Sequence, residues 1–363
     1  MRARISTPAV LLATVCCSAL VAAEQSPAAS ASAVRLEFPL GVAVLADGVV
    51  LISERGGHRV QRYDPATGEV RVVAGTGEKG FSGDGGPATE ARLGCPDSID
   101  ADADGNLYIA DRCNHRIRRV DAESGIITTV AGNGERAVSG DGPALERSLY
   151  GPYFVNADSP GEVLFTDTDS HRVRRLDLES GRLETLAGSG EGGFAGDGGS
   201  ALDASLARPH VALRARNGDL IIGDSFNQRI RRVDGTSGVI RTIAGRGERG
   251  SAKDGDRALD SPFGYFGGIL EEENGDLLLT EWVNGRLLRL EKSSGILRVL
   301  AGDGGEPNGK VDGGDLLGVS FGSLADFSRD ARGRLLVVAA DTGRLHRIDL
   351  ESGRVETLIS PPD

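Results

Sequence analysis

The 363-residue chain is short of aromatic side chains, which make up 4% of it and include a single tryptophan, Trp282. It has one methionine, five histidines and four cysteines. With so few rings, a ring outside a core pattern is informative, because aromatics dominate cores and binding surfaces alike. Positive charge is also in deficit. The formal charge of −12 argues against a nucleic-acid partner, since phosphate contacts need a basic face. No helical periodicity of useful length appears, which excludes a helix-built fold.

Apolar runs are short as well. Ala9 to Val15 follows Arg2 and Arg4, and Val21-Ala22-Ala23 precedes Glu24. The run is too short for a membrane span. With its charged start and small-residue end, the segment over 1–23 reads as a secretory signal cleaved after Ala23. Residues 24–35, rich in Ala and Ser, are expected to be a flexible lead-in. The mature protein is expected to be periplasmic or extracellular, without a membrane span, and monomeric. Cys16 and Cys17 leave with the signal. Cys95 and Cys113 then either pair in that oxidising compartment or remain free thiols.

Glycine, in contrast, is abundant, at 53 residues, and without a collagen-like period that means many turns. Six copies of one motif follow each other: GGHRVQRYDPATG, CNHRIRRVDAESG, DSHRVRRLDLESG, FNQRIRRVDGTSG, VNGRLLRLEKSSG and DTGRLHRIDLESG. The acids just upstream are Glu54, Asp111, Asp167, Asp224, Glu281 and Asp341. A fixed period of this length marks a repeat architecture covering nearly the whole chain. Within one copy, short alternating runs are separated by Asp104-Gly105 and Ser124-Gly125, the pattern of a four-stranded antiparallel meander. Six such units predict an all-β fold, a six-bladed β-propeller of four-stranded blades over 36–363, closed by packing of the last blade on the first.

Pro39-Leu40-Gly41-Val42-Ala43, the run Gly105 to Asp111, and Asn114-His115-Arg116-Ile117 resemble the NHL repeat, and the resemblance extends over roughly 36–358. It implies a six-bladed propeller and leaves function open, since such propellers include binding modules, sensors and a few enzymes.

Repetition assigns several motifs to the scaffold. Gly75-Thr76-Gly77-Glu78-Lys79-Gly80 spells a dinucleotide pattern, but no helix follows it and the motif recurs, so no nucleotide site is expected. Asp100-Ala101-Asp102-Ala103-Asp104-Gly105 resembles a calcium loop, but lies in a strand–turn–strand context. His58, His115 and His171 share one repeat position and read as structural. The arginine rows read as a solvated lattice. The Gly-rich loops between blades are expected to shield blade edges.

Function should sit where the copies disagree. After the usual proline of each first strand come Leu40, Asp97, Tyr153, His210, Gly267 and Ala325, followed by Gly41, Ser98, Phe154, Val211, Gly268 and Asp326. First strands of a propeller line its channel, so Asp97, Tyr153, His210 and Asp326 are expected in one funnel. Phe154, Tyr265 and Phe266 crowd the same region, and Arg112, Asp169, Phe226 and Trp282 stand on the adjacent loops. Concave sites with converging polar groups and aromatics are the default ligand sites. The expected function is therefore binding of a ligand or protein partner. The alternative is a propeller lyase or hydrolase using Asp97, Tyr153 and His210 as acid–base groups. The propeller lyase that cleaves peptidyl-hydroxyglycine holds zinc through Pro-His pairs, and Pro209-His210 is similar to one of them. Pro96-Asp97 and Pro152-Tyr153 stand where other imidazoles would be, so a divalent metal on His210 and Asp97 is not expected.

Overall fold

The computed structural model describes residues 29–31, 34–307, 311–313 and 315–362. The expected signal segment lies outside the described residues. Six antiparallel sheets are arranged in a ring, each built from four consecutive strands in chain order. Blade two shows the plan, with strands Pro96–Ala101, Leu107–Asp111, Arg116–Val120 and Ile127–Ala131. The first strands of the other blades are Pro39–Val44, Pro152–Asn156, Val211–Arg214, Phe266–Glu271 and Leu324–Arg329. The Asp-Gly turn works as expected: Gly105 takes φ +83°, and Asp102 Oδ1 accepts the backbone N–H groups of Asp104 and Asn106. The calcium-like segment is therefore a hairpin. Among the described residues no helix is long and apolar enough to cross a membrane.

Between blades, the Gly-rich loops lie along the outer strand of the next blade. Gly85 donates to Ile127, Gly198 to Ile240 and Gly255 to Leu297. This satisfies the open edge that an outer strand otherwise presents. Gly142–Pro143 and Ala29–Ser30 go further and pair as fifth strands with the outer strands of blades three and one. The lead-in is thus not simply flexible, because Ala29–Ser30 is part of a sheet. The ring closes by packing. Val42, Val338, Leu345 and Ile359 share a buried cluster at the seam, and the Val42 N–H donates to Asp326 Oδ2 at 3.2 Å.

The arginine rows differ from the expectation. Only two arginines of each R-x-R-R row reach solvent. Arg118, Arg174 and Arg231 are fully buried and pair with Asp111, Asp167 and Asp224 at 3.3, 3.8 and 3.7 Å. Loop aspartates Asp84, Asp141 and Asp197 complete the pairing. The second arginine lies on the strand face covered by the loop leading into its own blade, where these aspartates stand.

The repeat acids have a second task, which fixes the upper face of the ring, the one carrying the loops that lead into the first strands. Glu54, Asp111, Asp167, Asp224 and Glu281 each accept a backbone N–H from the loop leading into their own blade's first strand. In blade six Ala339 pairs with Arg344 as Asp111 does with Arg116, so Asp341 sits two residues late. It still accepts the equivalent bond, from Ser323. The repeat histidines help. His58, His115 and His171 occupy left-handed backbone positions, and His58 and His171 Nδ1 accept the N–H groups of Cys95 and Arg208.

Candidate functional site

Five of the six first strands begin with a bulge, between Pro39 and Gly41, Pro96 and Ile99, Pro152 and Val155, Phe266 and Ile269, and Leu324 and Asp326. A bulge re-aims side chains. Ahead of the first strands of blades one, two and four the backbone is left-handed at a non-glycine residue that precedes a proline, Phe38, Cys95 and Arg208. Such positions are uncommon and doubly so before proline. The histidine bonds to Cys95 and Arg208 hold two of them.

On this face the rings come together. Tyr153 stacks on His210 at 4.7 Å between centroids and lies 6.4 Å from Trp282. His210 is 5.7 Å from Phe226, 5.8 Å from Tyr265 and 6.2 Å from Trp282. Phe226 stacks on Tyr265 at 4.8 Å. These separations are those of attractive aromatic pairs. Guanidiniums lie over three of the rings: Arg112 over Tyr153 at 5.5 Å, Arg208 over Phe226 at 4.9 Å and Arg249 over Tyr265 at 4.3 Å. Ion pairs link the arginines into an arc, Arg55–Asp97 at 3.4 Å, Asp97–Arg112 at 3.2 Å, Arg112–Asp169 at 3.6 Å and Asp169–Arg208 at 2.5 Å. Cys95 and Cys113 form a disulfide, which ties the loop holding Arg112 to the start of the strand holding Asp97.

Burial sets the electrostatics. The Asp97 side chain is inaccessible, and burial raises its pKa to about 6 although Arg55 and Arg112 pull the other way. His210 is pushed down to about 3, by burial first and by Arg112 and Arg208 next, so its ring is neutral near pH 7. Its Nδ1 is buried and has no hydrogen-bond partner among the described residues. Burial also raises the Tyr153 hydroxyl.

The sequence-derived residues thus divide. Asp97, Tyr153, His210, Arg112, Phe226, Trp282 and Tyr265 share the upper face. Asp326 and Phe154 do not. They line a cavity of about 680 Å³ at the opposite, lower mouth of the channel, with Asp100, Asn156, Asp158 and Arg329. Asp326 continues a scaffold role, since Ser98 at the same repeat position accepts the Val155 N–H as Asp326 accepts that of Val42. Phe266 is core, fully buried 5.3 Å from Phe263. No three His, Cys, Asp or Glu side chains converge on a metal position among the described residues, so His210 and Asp97 lack a third ligand. No hydrogen bond joins Asp97 to Tyr153 or His210 among them.

Sequence reasoning missed Arg55, Arg208 and Arg249. The first two were legible: Arg55 shares the repeat position of Arg112 and Trp282, and Arg208 precedes the proline of blade four. Arg249 lay in a Gly-rich loop assigned wholly to the scaffold.

Comparison with known proteins agrees with the propeller fold. Residues 59–140 match the Teneurin NHL domain and residues 36–63 match the NHL repeat. The chain is an NHL-repeat β-propeller. This propeller is 29% identical over 268 residues to Protein SUPPRESSOR OF QUENCHING 1, chloroplastic, of Arabidopsis thaliana, covering 71% of the chain and 25% of that protein. It is 26% identical over 352 residues to NHL repeat-containing protein 2 of Bos taurus, covering 87% of the chain and 48% of that protein. The chain therefore spans a quarter to about half of these relatives. Among solved structures, an auxiliary nutrient binding protein from Bacteroides thetaiotaomicron superposes with a TM-score of 0.62 at 14% identity, over 89% of the chain and 70% of that one. A gluconolactonase from Xanthomonas campestris gives 0.54 at 14% identity, over 89% of each. These likenesses concern the fold, which serves binding and catalysis alike.

Proposed function

We propose that this NHL propeller binds a ring-bearing small molecule or protein segment on its upper face. One observation carries the reading: in a chain with 4% aromatics, Tyr153, Phe226, Tyr265 and Trp282 gather around His210 on loops and strand starts, with arginines over their rings. Aromatic and arginine side chains are the usual energetic centres of binding surfaces. Phe38, Phe226 and Val283, near this rim, are exposed, and exposed apolar groups there favour a partner.

The same geometry favours binding over acid–base catalysis by Asp97, Tyr153 and His210. A base with a pKa near 3 drives proton transfer poorly at neutral pH. Asp97 is engaged by two arginines and orients neither Tyr153 nor His210. We further propose that the mature chain acts outside the cytoplasm, a reading the Cys95–Cys113 disulfide supports. An intact-mass and N-terminal analysis of exported protein should find Glu24 first and no free thiol.

Trp282, the single tryptophan, reports on the site directly. Indole-3-propanol and 3-phenylpropionamide should shift its emission or quench it, and Tyr153→Ala should abolish the response. If neither compound perturbs Trp282 up to about 10 mM, near the weakest range where small-ligand binding is still meaningful, the binding reading is lost.

A further inference from the structure

Around the rings stand four guanidiniums, Arg55, Arg112, Arg208 and Arg249, and the carboxylates paired with them among the described residues are Asp97 and Asp169. The pairing is uneven. Arg55, Arg112 and Arg208 are spent on Asp97 and Asp169, whereas exposed Arg249 meets no carboxylate among the described residues and rests only on the Tyr265 ring. Buried among the same rings, His210 Nδ1 has no partner. Buried polar groups normally have one, and the Phe266 backbone lies beside the His210 ring, so it is the Arg249 charge that is left for something outside the chain.

We infer that the ligand of this face carries a carboxylate beside a planar ring. This rests on the binding reading above and narrows it. The ring stacks in the Tyr153–His210–Trp282 cluster, and the carboxylate meets Arg249, whose planar fork suits two parallel hydrogen bonds. An aryl carboxylate could come from a free metabolite or from adjacent acidic and aromatic residues of a peptide, and the two share this chemistry.

The test is a calorimetric and Trp282-fluorescence titration with three probes: 3-phenylpropionate, its neutral amide, and acetyl-Phe-Asp-Phe-amide. The carboxylate should bind about ten-fold tighter than the amide, the size of one charge-assisted hydrogen bond. Arg249→Gln should bring the acid-to-amide ratio to about one, whatever the change in amide binding itself. A stronger response to the peptide assigns the source to a protein segment, and a stronger response to the free acid assigns it to a small molecule; either supports the class. Equal binding of acid and amide, with no effect of Arg249→Gln, overturns the carboxylate while leaving the ring site standing. Silence from all three probes in folded protein overturns both.

Discussion

At the upper mouth of the channel, Tyr153, His210, Phe226, Tyr265 and Trp282 are ringed by arginines, and the buried Asp97 is held by two of them. At the lower mouth, some residues further along the same first strands, Asp100 and Asp326 line an open cavity, and no arginine or lysine pairs with them among the described residues. Their carboxyls instead accept backbone N–H groups, Asp100 from Ala101 and Ala157, Asp326 from Val42 and Phe327. Both acids are pushed well above the carboxylate range by burial, Asp100 further by Asp158. One end is a prestressed, cross-linked surface where charge is paired and one cation is spare. The other is a seam where buried carboxyls accept backbone N–H groups from the next blade and hold blades together. Irregularity of repeat sequence marks both, so irregularity alone does not distinguish ligand sites from closure devices.

Breaking the cross-links should hurt the upper mouth most. Replacing Cys95 and Cys113 together by serine should cost about 3 kcal/mol, the loop-entropy value for a closed loop of this size, seen as a lower midpoint in denaturant. A midpoint unchanged within error would mean that the disulfide does not constrain the loop. Arg112→Ala should come next, at about 2 kcal/mol, because it leaves a buried carboxylate with Arg55 as its single counter-charge and frees one side of Tyr153. A loss no larger than that of an exposed arginine would show Asp97 to be adequately held without it.

The pH profile separates the two ends more finely. Asp97, Asp111 and Asp224 titrate at about 6, against an ordinary 3.8, chiefly through burial. Between those values the folded chain holds protons that the unfolded chain has released. Their contribution to stability is therefore complete below about pH 4 and is lost as pH rises through about 6. Asp100 extends the loss to higher pH. His210 and His346, both lowered by burial, add an opposite rise up to about pH 6.5, so the difference from wild type is the readout: Asp97→Asn should make the melting temperature fall less, or rise more, between pH 5 and about 6.5, and Asp100→Asn should do so toward pH 8. Slopes of both variants equal to that of the wild type contradict the assignment. The smallest effect is expected from Asp326→Asn, which keeps an acceptor for the Val42 N–H; less than about 1 kcal/mol should be lost, with Trp282 emission unaltered.

Much of this was written in the sequence. Period and turn chemistry are local, so the six blades, the Asp-Gly hairpins and the edge-covering loops could be read from spacing. Aligning the copies found Asp97, Tyr153, His210, Phe226 and Trp282, because positions that escape the repeat need not serve the scaffold. What escaped depended on burial and on contacts between blades. The second arginine of each row was misread because charge usually means solvent, and only strand alternation against a neighbouring loop shows Arg118 to be buried. Asp326 and Phe154 differ from their neighbours in the repeat as Tyr153 does, but one residue's step along the strand turns them away from the rings and into the cavity below. Arg249 was hidden by regularity: its loop is repetitive, and only the fold lays it over Tyr265.

Whether ligands seat on the ring cluster of the upper face is decided by crystals soaked with 3-phenylpropionate. The phenyl ring should lie within about 4 Å of Tyr153, His210 and Trp282, the distance of apolar contact, with the carboxylate against Arg249. Density for the acid in the lower cavity between Asp100 and Asp326, with the upper rings bare, would overturn the assignment of the site.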